Sequence, residues 1–241
     1  MAQRRGRSPG ETGPTHVWRL AIGFGVGSAL VLGALAVWAA RASSGPAMAR
    51  TPDTVAHGVP HVAIVGDSIT EQGEAVLNEV LGSRWPLEID GRSGYTIVEQ
   101  QPAATALADR DPTQVIVNLG TNDVWHGGDL TTSASDLATL VATFAGATCI
   151  HLVTINESMV PNGISLGARA AEVNQAIRDL AARDPRIHLI DWSAAVAADQ
   201  SGPQPYGPIV GDSIHPTKRG QLVLAQLYAD SLAACPVRAA S

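Results

Sequence analysis

From His61 onward the sequence alternates short runs of β-branched residues with longer stretches rich in alanine and leucine, and this alternation restricts the fold more than any other feature. The runs HVAIVG (61–66), PLEIDG (86–91), QVIVNLG (114–120), CIHLVTI (149–155) and RIHLIDW (186–192) have strand character. Between them apolar residues recur at helical spacing near 71–82, 96–108, 132–145 and 166–183, with a last helix near 217–234. Strands that alternate with helices pair in parallel, because each right-handed crossover lays its helix on a face of the sheet. The centres of the first, third and fourth runs are apolar, His151 in the fourth excepted, as burial on both faces requires. The expectation is an α/β domain over residues 61–236, with a central parallel five-stranded sheet covered by helices on both sides. Ligands of such sheets bind beyond the carboxyl ends of the strands, where the strand order reverses.

The residues before this domain have a different composition. From Leu20 to Ala40 (LAIGFGVGSALVLGALAVWAA) there is no charged residue, and a helix of that length spans about 31 Å, enough to cross a bilayer. A core helix of a globular domain would show a polar face, and this segment has none. Arg4, Arg5, Arg7 and Arg19 precede it while Arg41 and Arg50 follow, so the positive-inside bias holds residues 1–19 in the cytoplasm and exports the rest. Ala40-Arg41-Ala42 and Ala47-Met48-Ala49 resemble cleavage sites, so the segment is a retained transmembrane anchor or a signal peptide, and its apolar length favours the anchor. Residues 41–60 mix Pro, Gly, Ser, Thr and Ala without periodicity and read as a linker; residues 237–241 form a tail.

Composition removes several function classes. The net charge is −6, and no Lys/Arg cluster exists beyond the first residues, which argues against a nucleic-acid partner. Cys149 and Cys235 have no CxxC spacing, and no HExxH or Cys/His cluster is present, so a zinc or other metal site is not expected. Cys149 opens the fourth strand and Cys235 closes the last helix, which returns antiparallel to the strands. Both therefore belong near the amino-terminal edge of the sheet, either bridged or as two buried thiols.

The polar residues that bear chemistry fall at the opposite edge. GDSIT (66–70) follows the first strand and puts Ser68 where a strand becomes a helix, a position favourable to developing negative charge and equally suited to a helix N-cap. GTND (120–123) follows the third strand; Asn122 there fits an oxyanion donor or an Asx-turn. GRSGY (91–95) follows the second strand and offers the backbone N–H of Gly94. DSIHP (212–216) precedes the last helix, and an acid three residues before a histidine can orient one ring nitrogen while the other accepts a proton. Trp125, His126 and Tyr206, together with the loop 156–167, are candidates for the substrate pocket.

In this order, GDSIT, the glycine at 94, GTND and DSIHP resemble the blocks of SGNH hydrolases, the GDSL-type esterases and lipases, over roughly 61–235. The resemblance implies a flavodoxin-like three-layer α/β/α domain. It further implies Ser68 as nucleophile, His215 as general base and then acid, Asp212 as its orienter, and an oxyanion hole from the Ser68 and Gly94 N–H groups and the Asn122 side chain. No cofactor is needed for such acyl transfer. The expected enzyme is an extracytoplasmic, membrane-tethered serine esterase whose partner is a small-molecule or glycan-borne acyl ester. Two other functions stay open: an O-acyltransferase of cell-envelope carbohydrate that uses the same acyl-enzyme, and a non-catalytic carbohydrate-binding module.

Overall fold

The structure, a computed structural model, describes residues 61–235. The basic segment 1–19, the expected membrane span 20–40, the linker 41–60 and the tail 237–241 lie outside the described residues. Among the described residues no helix is long and apolar enough to cross a membrane.

Five parallel strands form one sheet: β1 (Val62–Gly66), β2 (Leu87–Gly91), β3 (Gln114–Asn118), β4 (Cys149–Val153) and β5 (Ile187–Ile190). Their order is β2-β1-β3-β4-β5, so the chain reverses its direction of travel across the sheet between β1 and β3. The helices are α1 (Ser68–Leu81), α2 (Gln101–Ala108), α3 (Thr121–Trp125), α4 (Leu130–Thr143), α5 (Gly167–Arg183), α6 (Trp192–Ser201) and α7 (Lys218–Ala234).

Two apolar cores explain why β1, β3 and β4 are buried on both faces. Val62, Ile64 and Ile116 pack with Ile69 and Leu77 of α1, Trp192 of α6 and Tyr228 of α7. The intervening Ala63, Val65 and Val115 pack with residues of α2, α4 and α5 on the other face. Both sets of alternating side chains are therefore buried, and the result is the expected three-layer α/β/α domain.

Several boundaries differ from the sequence reading, in both directions: the helix expected from 96 begins only at Gln101. The helix expected near 71 begins at Ser68, because the Asp67 carboxylate accepts the Ile69 N–H at 3.0 Å and caps it. The helix expected near 132 begins at Leu130, capped by Asp129 through the Thr131 N–H at 3.0 Å. The fifth strand was expected to run to Trp192, yet it ends at Ile190. Asp191 there accepts from the Ala194 N–H at 3.0 Å and opens α6, a helix the sequence reading lacks. Its first residue, Trp192, turns into the core. The short α3, which starts within GTND at Thr121, is a second addition.

Cys149, at the first residue of β4, and Cys235, just past α7, are joined by a disulfide with Cα atoms 6.2 Å apart. The bridge ties the end of α7 to the amino-terminal edge of the sheet.

Candidate active site

The carboxyl ends of β1, β2 and β3 converge at the point of strand-order reversal, and each delivers one part of the site. Beyond β1, Asp67 caps α1 and makes Ser68 its first residue, so the Ser68 N–H has no acceptor within the helix. Beyond β3, Asn122 is the second residue of α3. Beyond β2, the loop through Gly94 passes the same crevice, with Gly94 at φ +81°, the left-handed region that favours glycine.

The fourth part comes from the turn before α7. The His215 Nε2 lies 3.0 Å from Ser68 Oγ, and His215 Nδ1 lies 2.7 Å from Asp212 Oδ2. A carboxylate only accepts, so Nδ1–H donates to Asp212 and Nε2 is left to accept from the serine hydroxyl. The second oxygen, Asp212 Oδ1, accepts the N–H groups of Ile214 at 3.0 Å and His215 at 2.6 Å. Burial works against the ionised carboxyl, but the His215 ring and these backbone donors outweigh it and hold Asp212 below the usual carboxylate range. Asp212 thus stays charged, and the 60% exposure of its side chain works in the same direction.

That turn is fixed from outside itself. Ser213 has φ +69°, unusual for a residue with a Cβ. Asn156, beyond β4, donates its Nδ2–H to the Ser213 carbonyl at 2.9 Å, and Ser213 Oγ accepts the Val160 N–H at 3.0 Å. The loop expected to line the pocket, 156–167, therefore makes its contact through the histidine turn.

On the opposite wall, Asn122 Nδ2 donates to the Tyr95 carbonyl at 2.9 Å, which spends one amide hydrogen and leaves the other. Asp123 accepts the Ile97 N–H at 3.1 Å, so α3 grips the β2 loop twice.

A crevice of about 390 Å³ opens over these groups and is lined by Ser68, Gly94, Asn122, Trp125, His126 and His215, all singled out in the sequence. Gln72, Ser93, Thr121 and Ile214 also line it and were missed. Gln72 lies four residues after Ser68 on one helix face, a spacing that the sequence does carry. Tyr206 is not in the lining: its side chain is 84% exposed in the loop before Asp212, so its expected place in the pocket is corrected. Among the described residues no group of three His, Cys, Asp or Glu side chains is arranged to hold a metal ion.

A family model of GDSL-like lipases and acylhydrolases matches residues 64–223, a span that holds all of these groups. The chain belongs to the GDSL-like lipase/acylhydrolase family. It is accordingly an SGNH/GDSL-type serine hydrolase that acts on ester bonds.

Solved structures agree on the fold of this GDSL-family hydrolase. A GDSL-like lipase from Bacteroides thetaiotaomicron superposes with a TM-score of 0.62 at 18% identity, covering 72% of this chain and 88% of that one. A catalytic mutant of Axe2, an acetylxylan esterase from Geobacillus stearothermophilus, gives 0.60 at 18% identity over 75% of this chain and 97% of its own. A lipolytic protein of the G-D-S-L family from Veillonella parvula gives 0.59 at 20% identity, with 72% and 98% covered. No curated protein matches the sequence.

One buried group of this GDSL hydrolase stands apart. Asp67, beside Ser68, is fully buried, and burial pushes its carboxyl up to about 7 against the lowering influence of the Ile69 N–H, Thr121 and His215. Its contact to the Ile69 N–H makes it a brace for the turn.

Proposed function

We propose that this chain is an extracytoplasmic, membrane-tethered serine esterase that cleaves short or glycan-borne acyl esters through an acyl-enzyme on Ser68. The observation that carries this reading is the unbroken hydrogen-bond chain from Ser68 Oγ through His215 to Asp212, set beside the Gly94 and Asn122 donors in one crevice.

The mechanism follows from the orientation of those bonds. As Ser68 Oγ attacks the ester carbonyl carbon, its proton passes to His215 Nε2, and the Asp212 carboxylate stabilises the imidazolium. The carbonyl oxygen, now an oxyanion, is met by the N–H groups of Ser68 and Gly94 and the free amide hydrogen of Asn122. The N-terminus of α1 adds favourable partial charge. When the tetrahedral intermediate collapses, Nε2–H protonates the departing alkoxide and the acyl group remains on Ser68. Water then takes the alcohol's place, loses a proton to Nε2, adds to the acyl carbon and releases the acid as Ser68 Oγ recovers its proton.

Short segments between the motifs leave no room for a large lid over the crevice, which favours small or glycan-borne acyl groups over long-chain lipids. The uncharged run 20–40 and its arginine asymmetry support the membrane tether. Ser68→Ala in the full chain tests the catalytic reading: hydrolysis of p-nitrophenyl acetate disappears while the thermal midpoint is kept, and unchanged turnover refutes it. A panel of acetylated glycans and graded acyl chains, with and without an acceptor glycan, assigns the substrate and separates hydrolysis from transfer.

A further inference from the structure

We propose that Glu71 is a positioning residue that locks the Gly94 loop to the nucleophile's own helix, so that the Gly94 N–H stays aimed at the oxyanion formed on Ser68. The inference rests on the roles of Ser68 and Gly94 given under the proposed function and adds a residue that those roles do not include.

Among the described residues no side chain packs against Gly94 itself. It is exposed, and nothing lies within 4 Å of where a Cβ would sit, so no side-chain packing fixes its N–H. Its two neighbours are the ones that are tied. Tyr95 is held by Asn122 through its carbonyl at 2.9 Å. Ser93 is held by Glu71, whose Oε2 accepts both the Ser93 N–H at 2.8 Å and the Ser93 hydroxyl. Glu71 stands in the first turn of α1, three residues after Ser68, so the nucleophile and the clamp belong to one rigid helical turn.

The start of the loop is shaped for this contact. A Cβ on Gly91 would come 2.5 Å from the Glu71 backbone nitrogen and 2.9 Å from its Cα, so a bare glycine lets the loop lie against the helix there. The Arg92 N–H continues the β1–β2 ladder to the Gly66 carbonyl at 3.1 Å, and the Tyr95 N–H closes the turn on the Arg92 carbonyl at 3.2 Å, with Gly94 at the turn's third position. Gly94 is thus suspended between two anchors, one on each helix that carries a reacting or stabilising group. An oxyanion donor acts only within a narrow distance range, and a misplacement of about 1 Å is enough to cost about 100-fold in rate. A carboxylate that accepts twice from one residue supplies that precision; a merely solubilising surface glutamate would make neither bond.

The test compares Glu71→Ala, Glu71→Gln and Ser93→Ala in the full chain. The account expects kcat for p-nitrophenyl acetate to fall about 10- to 100-fold in Glu71→Ala, with KM changed by no more than about twofold. Glu71→Gln keeps one carbonyl acceptor for the Ser93 N–H and recovers part of the loss. Ser93→Ala, which keeps the backbone bond, loses least. A structural role alone would not alter the preference for an oxygen over a sulfur at the scissile carbonyl. The clamp predicts that the ester-to-thionoester rate ratio shrinks in Glu71→Ala, because the donors no longer discriminate the oxyanion. An unchanged kcat in folded Glu71→Ala, or a lowered kcat with an unchanged ratio, overturns the inference; if Glu71→Ala does not fold, the same readings on Glu71→Gln decide. Ser68→Ala, assayed in parallel, separates the two claims. Its inactivity together with a normal Glu71→Ala overturns the clamp alone, whereas retained activity overturns the reading of the site and the clamp with it.

Discussion

Ser68 and His215 are 147 positions apart in the chain, and the serine Oγ lies 3.0 Å from the histidine Nε2. The bond joins the first residue of α1 to the turn just before α7, so two helices packed on the same sheet face hold both ends of the proton path. Its length already matches the reach that proton transfer needs.

Asp212→Asn isolates the orienting carboxylate. Asparagine keeps an oxygen able to accept the Ile214 and His215 N–H groups that Asp212 Oδ1 now receives, so the turn should survive. Its amide, however, donates toward Nδ1 and forces the proton onto Nε2, where the serine hydroxyl must bond. The expected result is a fall in kcat of about 10²-fold or more with an unchanged thermal midpoint, measured by steady-state ester hydrolysis.

His151 gives the fold a specific sensitivity to acid. It is fully buried on β4, accepting at Nδ1 from the Ser231 hydroxyl at 2.6 Å and donating from Nε2 to Gln114 Oε1 at 3.0 Å. Burial first, and then the neighbouring His188, push its pKa down from 6.5 to about 3. The unfolded chain protonates near 6.5 while the folded one stays neutral, so the unfolded state holds more protons below that value. Stability is intact above about pH 6.5 and is lost as the pH falls toward 3, at up to about 1.4 kcal/mol per pH unit from this residue. Denaturant unfolding at pH 7 and pH 5 should show a smaller drop in His151→Gln than in the parent.

The disulfide closes a long stretch of chain, its cysteines lying 86 positions apart. Replacing both with serine should lower stability by about 2–4 kcal/mol and leave kcat near the parent value at low temperature, since the bridge lies at the edge of the sheet away from Ser68. Chemical denaturation with and without reductant measures the first effect.

Much of this architecture is written in local sequence, and its omissions have a common origin. Strands such as VAIVG (62–66) and QVIVN (114–118) are legible because burial on both faces leaves a run of apolar residues that little else produces. The sequence reading puts the helix starts at Ser68 and Leu130 too late because apolar periodicity begins only after the cap. Asp67 and Asp129 act one residue before each helix, and their signal is a single side chain. Asp191 hid a whole helix, since Trp192 looks the same in a buried strand and in the first turn of α6.

Within the site, Ser68, Asn122, Asp212 and His215 were legible because their short motifs sit directly after strands or before the last helix. Tyr206 shares a loop with Asp212 but no geometric constraint, and aromaticity alone said nothing of direction. Glu71 carries no motif signal, and Asn156 stands out only as the start of the loop 156–167, because their partners, Ser93 and Ser213, are 22 and 57 positions away. Contacts of that range are set by strand order, which no motif encodes.

The central claim is a covalent acyl group on Ser68 during turnover. The most direct measurement is acid quenching of the protein during hydrolysis of p-nitrophenyl acetate, followed by intact-mass and peptide-mapping spectrometry. The account predicts one acetyl group on the peptide carrying Ser68 and none in Ser68→Ala. Turnover without acyl enzyme, or an acetyl group on another side chain that follows the same kinetics, would contradict it.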